Sequence, residues 1–134
     1  MRKLISFLLA SVVLACSLIP FNVNAALNYE NVNDISTNVY FSNQTGTVTV
    51  IIRTTSPDAE LFVNASLYVK ATSGRWIDIT PDWEEAYGNG STFICDFPFD
   101  ATNGWRYKVE VSALVCVSDV CETVTDSYEI TYWE

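Results

Sequence analysis

The side chains with chemistry to offer are four cysteines, sixteen acids and eighteen aromatic residues, and there is no histidine. Without imidazole, Ser-His-acid and Cys-His catalysis are excluded, together with every histidine metal site. Two carboxylates across a cleft could still hydrolyse a glycosidic bond, but Glu84 and Glu85 are adjacent and point apart on an extended chain, and no other pair stands out. The chain therefore reads as a non-enzyme with no catalytic residue, no cofactor and no metal.

The densest binding chemistry falls in one polar loop, residues 82–90. Trp83 and Tyr87 offer flat faces for a sugar ring or a peptide, while Asp82, Glu84, Glu85 and Asn89 offer carboxylates and an amide to hydrogen-bond it. A competing reading has Trp83 and Tyr87 capping one end of the core with the acids solvated. Asp82, Glu84 and Glu85 have the right ligand type for calcium but lack EF-hand spacing. N-x-S/T sequons stand at Asn43, Asn64 and Asn89, and matter only if the source cell glycosylates.

The amino terminus carries Arg2 and Lys3, an apolar run from Leu4 to Leu18, then Pro20 and a Val23-Asn24-Ala25 ending. Those three regions predict a secretory signal peptide over 1–25, cleaved after Ala25, and a secreted product. The apolar run falls short of the ~20 residues that span a bilayer, so no transmembrane segment is expected. One alternative is a lipoprotein: Val13-Leu14-Ala15-Cys16 resembles a loose lipobox, with Cys16 as the lipidated residue.

Cleavage leaves 109 of 134 residues, enough for one domain. Arg2 and Lys3 leave with the leader, so five basic and sixteen acidic side chains remain and the net charge moves from −9 to −11. Such acidity argues against nucleic acid or an anionic membrane as partner and leaves a protein or a glycan, with the oligomeric state open.

The elements that must position these groups are short strands. Glycine and proline fall between runs of Val, Ile, Thr, Tyr and Phe, the punctuation of an all-β chain. After a flexible leader at 26–34, strands are predicted at 35–41, 47–53, 61–72, 75–79, 92–97, 105–117 and 120–133, within one domain at 35–134. Val48, Val50 and Ile52 alternate with polar residues, as do Leu61, Val63, Ala65, Leu67 and Val69, the period of half-buried strands. Seven antiparallel strands in about this length predict a two-sheet β-sandwich.

The last two strands make the sharpest prediction. If Ser118-Asp119 is a two-residue turn, facing residues have numbers that sum to 237. Lys108 then meets Glu129, Val109 meets Tyr128, Tyr107 meets Ile130 and Trp105 meets Tyr132, so opposite charges and apolar residues pair. Glu122 and Asp126 break the apolar face, which predicts an open end or edge there. The same register sets Cys116 opposite Cys121 on a non-hydrogen-bonded pair, where a disulfide is feasible in an exported chain. Cys95, among phenylalanines, is then a free buried thiol; bridges from it to Cys116 or Cys121 are the other pairings.

The run Tyr107-Lys108-Val109-Glu110-Val111-Ser112-Ala113 resembles the penultimate strand of fibronectin type III domains, where a tyrosine begins an alternating valine strand ending in alanine. Size and strand count also match. The tryptophan usual in the second strand of such domains is missing here. The resemblance implies an immunoglobulin/fibronectin-III-like sandwich, and Tyr107 as a core hydrogen-bonding tyrosine. The functional expectation is a small secreted sandwich that works by binding; the alternatives are a secreted effector or inhibitor, and a glycan-binding or adhesive surface component.

Overall fold

A computed structural model describes residues 29–134. The leader, its cleavage after Ala25 and the alternative at Cys16 lie outside the described residues. Eight antiparallel strands form two sheets: β1 (Val32–Ser42), β2 (Thr45–Thr54), β3 (Glu60–Lys70), β4 (Trp76–Asp78), β5 (Ala86–Asn89), β6 (Thr92–Asp100), β7 (Arg106–Val117) and β8 (Val120–Thr131). The three-stranded sheet has the order β1-β2-β6; the five-stranded sheet has β4-β3-β7-β8, with β5 also on the β4 edge of β3.

Alternation decides which side chains meet between the sheets. Val39, Val48, Val50, Ile52, Phe97 and Phe99 from one sheet face Leu61, Val63, Leu67, Val109, Val111, Val115 and Val124 from the other, all buried in one cluster. Tyr107 is also buried, and its hydroxyl accepts the Thr102 N–H at 2.8 Å. That bond ties the β6–β7 turn to the core and fulfils the role expected of this tyrosine. Gln44, at the β1–β2 turn, extends the same knot: its N–H donates to the Tyr132 hydroxyl at 3.2 Å and its carbonyl accepts the Ala101 N–H at 2.7 Å.

The expected final hairpin is present. Every pair from Arg106↔Thr131 to Val117↔Val120 sums to 237, and beyond the ladder the Tyr132 N–H donates to the Trp105 carbonyl. Cys116 and Cys121 are disulfide-bonded, with Cα atoms 4.0 Å apart. Cys95 is a free thiol on the inner face of β6, where burial first and the neighbouring Asp96 charge second push its pKa from 9.0 up to about 11.

Several strand ends move by one to three residues, β6 running on to Asp100 where 97 was expected, and two differences go further. Strand β1 begins at Val32, inside the segment 26–34 expected as a leader, because a bulge between Val32 and Asp34 shifts the register by one residue. The bulge turns Val32 into the core, out of phase with the alternation that starts at Ile35. There are also eight strands rather than seven: the loop expected at 82–90 contains β5, paired with β3 from Glu60↔Asn89 to Val63↔Ala86. Gly88 makes this possible, since a Cβ there would overlap the Phe93 ring from β6.

Candidate functional site

Strand β5 divides the residues of the expected binding loop. Trp83 turns toward the sandwich, packs on Phe97 at 5.3 Å between ring centroids, and donates its indole N–H to the Pro98 carbonyl at 2.7 Å. It caps an end of the core. Tyr87 goes the other way: it is 58 % exposed and pairs with Phe62, ring centroids 5.0 Å apart. Glu85, Tyr87 and Asn89 alternate with Ala86 and Gly88, so the first three extend the outer face of the five-stranded sheet. Asp82 and Glu84 are exposed on the chain leading into β5 and do not share that face.

Between β4 and β5 the edge of β3 stays covered. Ile79 N–H donates to the Leu67 carbonyl, and the Leu67 N–H donates to Thr80 Oγ1, both at 2.9 Å. Thr80 in turn gives its backbone and side-chain hydrogens to the Asp78 carboxylate at 2.9 and 2.6 Å, which lowers the pKa of Asp78, the side-chain bond contributing most. This short bracket fixes where β5 joins the sheet.

The registers of β3 with β5, β7 and β8 then assemble a relief that runs across the strands. One wall is the row Tyr87, Phe62, Leu114, with Leu114 40 % exposed. The opposite wall is built on Tyr68, Lys108 and Trp76. Lys108 Nζ lies 5.0 Å from the Tyr68 ring centre and 4.7 Å from that of Trp76, and 3.4 Å from Glu110 Oε1. Between the walls, Asn64, Ser66, Ser112, Thr125 and Ser127 are short. They line a depression of about 530 Å³ with Glu110, continued toward Tyr87 by one of about 250 Å³ lined by Phe62, Asn64, Glu85, Ser112, Leu114 and Thr123. Asn64 Nδ2 donates to Glu85 Oε2 at 2.6 Å and orients both groups at the junction.

The two acids that broke the apolar face of β8 behave differently from each other. Glu122 accepts the backbone N–H groups of Glu30, at 3.0 Å, and Asn31, while Asn31 Nδ2 donates to the Val120 carbonyl at 2.8 Å. Glu122 thus anchors the chain entering β1 to the last hairpin, and the buried Asn31 covers that end of the sandwich where an open end or edge was expected. Asp126 is half-buried beneath the depression. No group of three or more Cys, Asp or Glu side chains able to hold a metal ion occurs among the described residues. No helix among them is long and apolar enough to cross a membrane.

No protein-family model and no curated protein matches the chain. Among solved structures, a Parabacteroides merdae β-glucuronidase with glycerol in its active site aligns at 13 % identity and a TM-score of 0.44, over 72 % of this chain and 13 % of that one. A protein from Archaeoglobus fulgidus aligns at 7 % identity and a TM-score of 0.38, over 75 % of this chain and 97 % of that one. The chain therefore spans about an eighth of the length of the β-glucuronidase it matches.

Proposed function

We propose that the chain is an exported, non-catalytic binding module of the immunoglobulin/fibronectin-III-like kind. The observation that carries the binding reading is the outer face of the five-stranded sheet, where the partly exposed row of Tyr87, Phe62 and Leu114 stands beside a depression lined mainly by polar side chains. A sheet face serving only as a solvated surface has no need of Tyr87 and Leu114 exposed on either side of Phe62. The kinship reading is supported by the strand order β1-β2-β6 against β4-β3-β7-β8 and by the Tyr107 hydroxyl reaching back to Thr102. Trp83, arriving from the connection before β5, supplies the core indole that β2 lacks. The export reading rests on Arg2, Lys3, the apolar run and the Ala25 site.

Labelled protein spanning 26–134, titrated onto cell-envelope material from the source culture, is expected to bind saturably and to be displaced by unlabelled protein. Uptake that rises linearly and resists competition would refute the binding reading. Intact mass and amino-terminal sequencing of material from the medium are expected to give a chain beginning at Ala26, whereas a lipidated Cys16 at the terminus would replace release by tethering.

A further inference from the structure

We propose that the depression across β5, β3, β7 and β8 holds a segment of an uncharged polysaccharide, with Tyr87 stacking on a sugar ring and the floor hydrogen-bonding its hydroxyls. The inference rests on the reading of the chain as a binding module and names the ligand class of that face. Its floor is made of hydroxyls, an amide and carboxylates: Ser66, Ser112, Thr125, Ser127, Asn64, Glu85 and Glu110. Ser112, Thr125 and Ser127 are exposed and free to turn their hydroxyls to suit a ligand. A polyhydroxylated chain presents donors and acceptors on every ring, and this floor offers both.

The walls complete the match. Of the aromatic residues on this face, Tyr68 and Trp76 already have Lys108 against them, so the open ring is Tyr87, held at its angle by Phe62. A flat ring beside a polar floor suits a sugar, whose one side is C–H and whose rim is hydroxyl. The depression also runs perpendicular to the strands, so neighbouring strands at ~4.8 Å spacing give it a length of ~15 Å, that of a short oligosaccharide.

A peptide fits less well. An added strand would need the unpaired backbone groups of a sheet edge, and the depression exposes side chains rather than backbone. Apolar peptide side chains would meet a floor mainly of Ser, Thr and Asn, with apolar surface concentrated at the Phe62 and Leu114 wall. Anionic polymers are disfavoured by Glu85, Glu110 and the underlying Asp126; of the two cations at the Trp76 wall, Lys108 is already paired with Glu110 and Lys70 lies 5.7 Å from the Trp76 ring centre.

The test is native electrophoresis of the protein through gels containing hydroxyethylcellulose, galactomannan, laminarin or xylan, with polygalacturonate as the anionic comparison. Retardation is expected in at least one neutral gel. Ser112→Trp, which fills the floor, is expected to weaken it at least tenfold, and Tyr87→Ala at least threefold, with unchanged thermal melting in both variants. Ile94→Ala, on the opposite sheet, is expected to migrate as the wild type does. The proposal is overturned by no retardation in any neutral gel, by retardation in polygalacturonate alone, or by equal retardation of Ser112→Trp. If saturable binding to envelope material survives any of those results, the glycan inference alone falls; if that binding is absent too, the binding reading falls with it.

Discussion

The outer faces of the two sheets are made from the same kind of strand and differ in relief. On the three-stranded sheet, β-branched and polar residues tile most of the surface, Thr49 Oγ1 donating to Asp96 at 2.7 Å and Arg53 pairing with Asp34 at 3.1 Å, while the exposed Tyr40 and Ile94 stand apart on the two outer strands β1 and β6. On the five-stranded sheet, long side chains gather into two walls and short ones into the floor between them. Inward positions are mostly apolar on both sheets, with Thr37 on one and Glu122 and Asp126 on the other as exceptions, so the difference between the outer faces lies in residues that the core constrains least.

The contrast can be broken from the side of the five-stranded sheet. Gly88→Val forces a branched side chain into Phe93, and is expected to cost about 2–3 kcal/mol in urea unfolding and to remove the Tyr87 wall together with its binding. Lys108→Met leaves the Tyr68 face without its cation and the Trp76 face with only the more distant Lys70, with an expected loss of about 1 kcal/mol in the same assay. Beneath the three-stranded sheet, Thr37 Oγ1 is buried without a hydrogen-bond partner. Thr37→Val is therefore expected to stabilise the protein by about 1 kcal/mol and to leave both outer faces unaltered. Thr49→Ala, which deletes an exposed pair on the tiled face, is expected to change stability by less than about 0.5 kcal/mol and binding not at all.

Cys95 gives the comparison a pH readout at the free edge of the three-stranded sheet. With its pKa raised from 9.0 to about 11, alkylation of the folded protein is expected to keep accelerating well above pH 9. The sign for stability follows from the thiol being favoured in the fold. The unfolded chain ionises first, so this contribution is complete below pH 9.0 and is lost as pH rises toward about 11. Iodoacetamide rates and melting temperatures across that window measure both effects.

What could be read from the sequence was local. The sum of 237 for the last hairpin, and with it Cys116 opposite Cys121, follows from a turn and its immediate flanks. Alternation identified the inward faces of β2 and β3, and Tyr107 was legible from a strand pattern. Strand β5 was hidden because Gly88-Asn89-Gly90 has the composition of a turn, and the ring that requires glycine at position 88 comes from the other sheet. Trp83 and Tyr87 look alike in a loop, and only the pairing of β5 with β3 sends them to opposite sides. The depression depends on β3 pairing with β7 across the middle of the chain, a register no hairpin dictates. Had Glu85, Tyr87 and Asn89 been read as alternate positions of a strand, half of the relief would have been visible.

The carboxylate of Glu122 grips backbone laid down 91 and 92 residues before it. Such a contact closes a loop spanning most of the domain, and its entropy must be met before the grip rewards it. The latch therefore sets late: β1 can pair with β2 as a local hairpin, but the residues that lead into it, Glu30 and Asn31, stay unfastened until the final hairpin brings Glu122 to them.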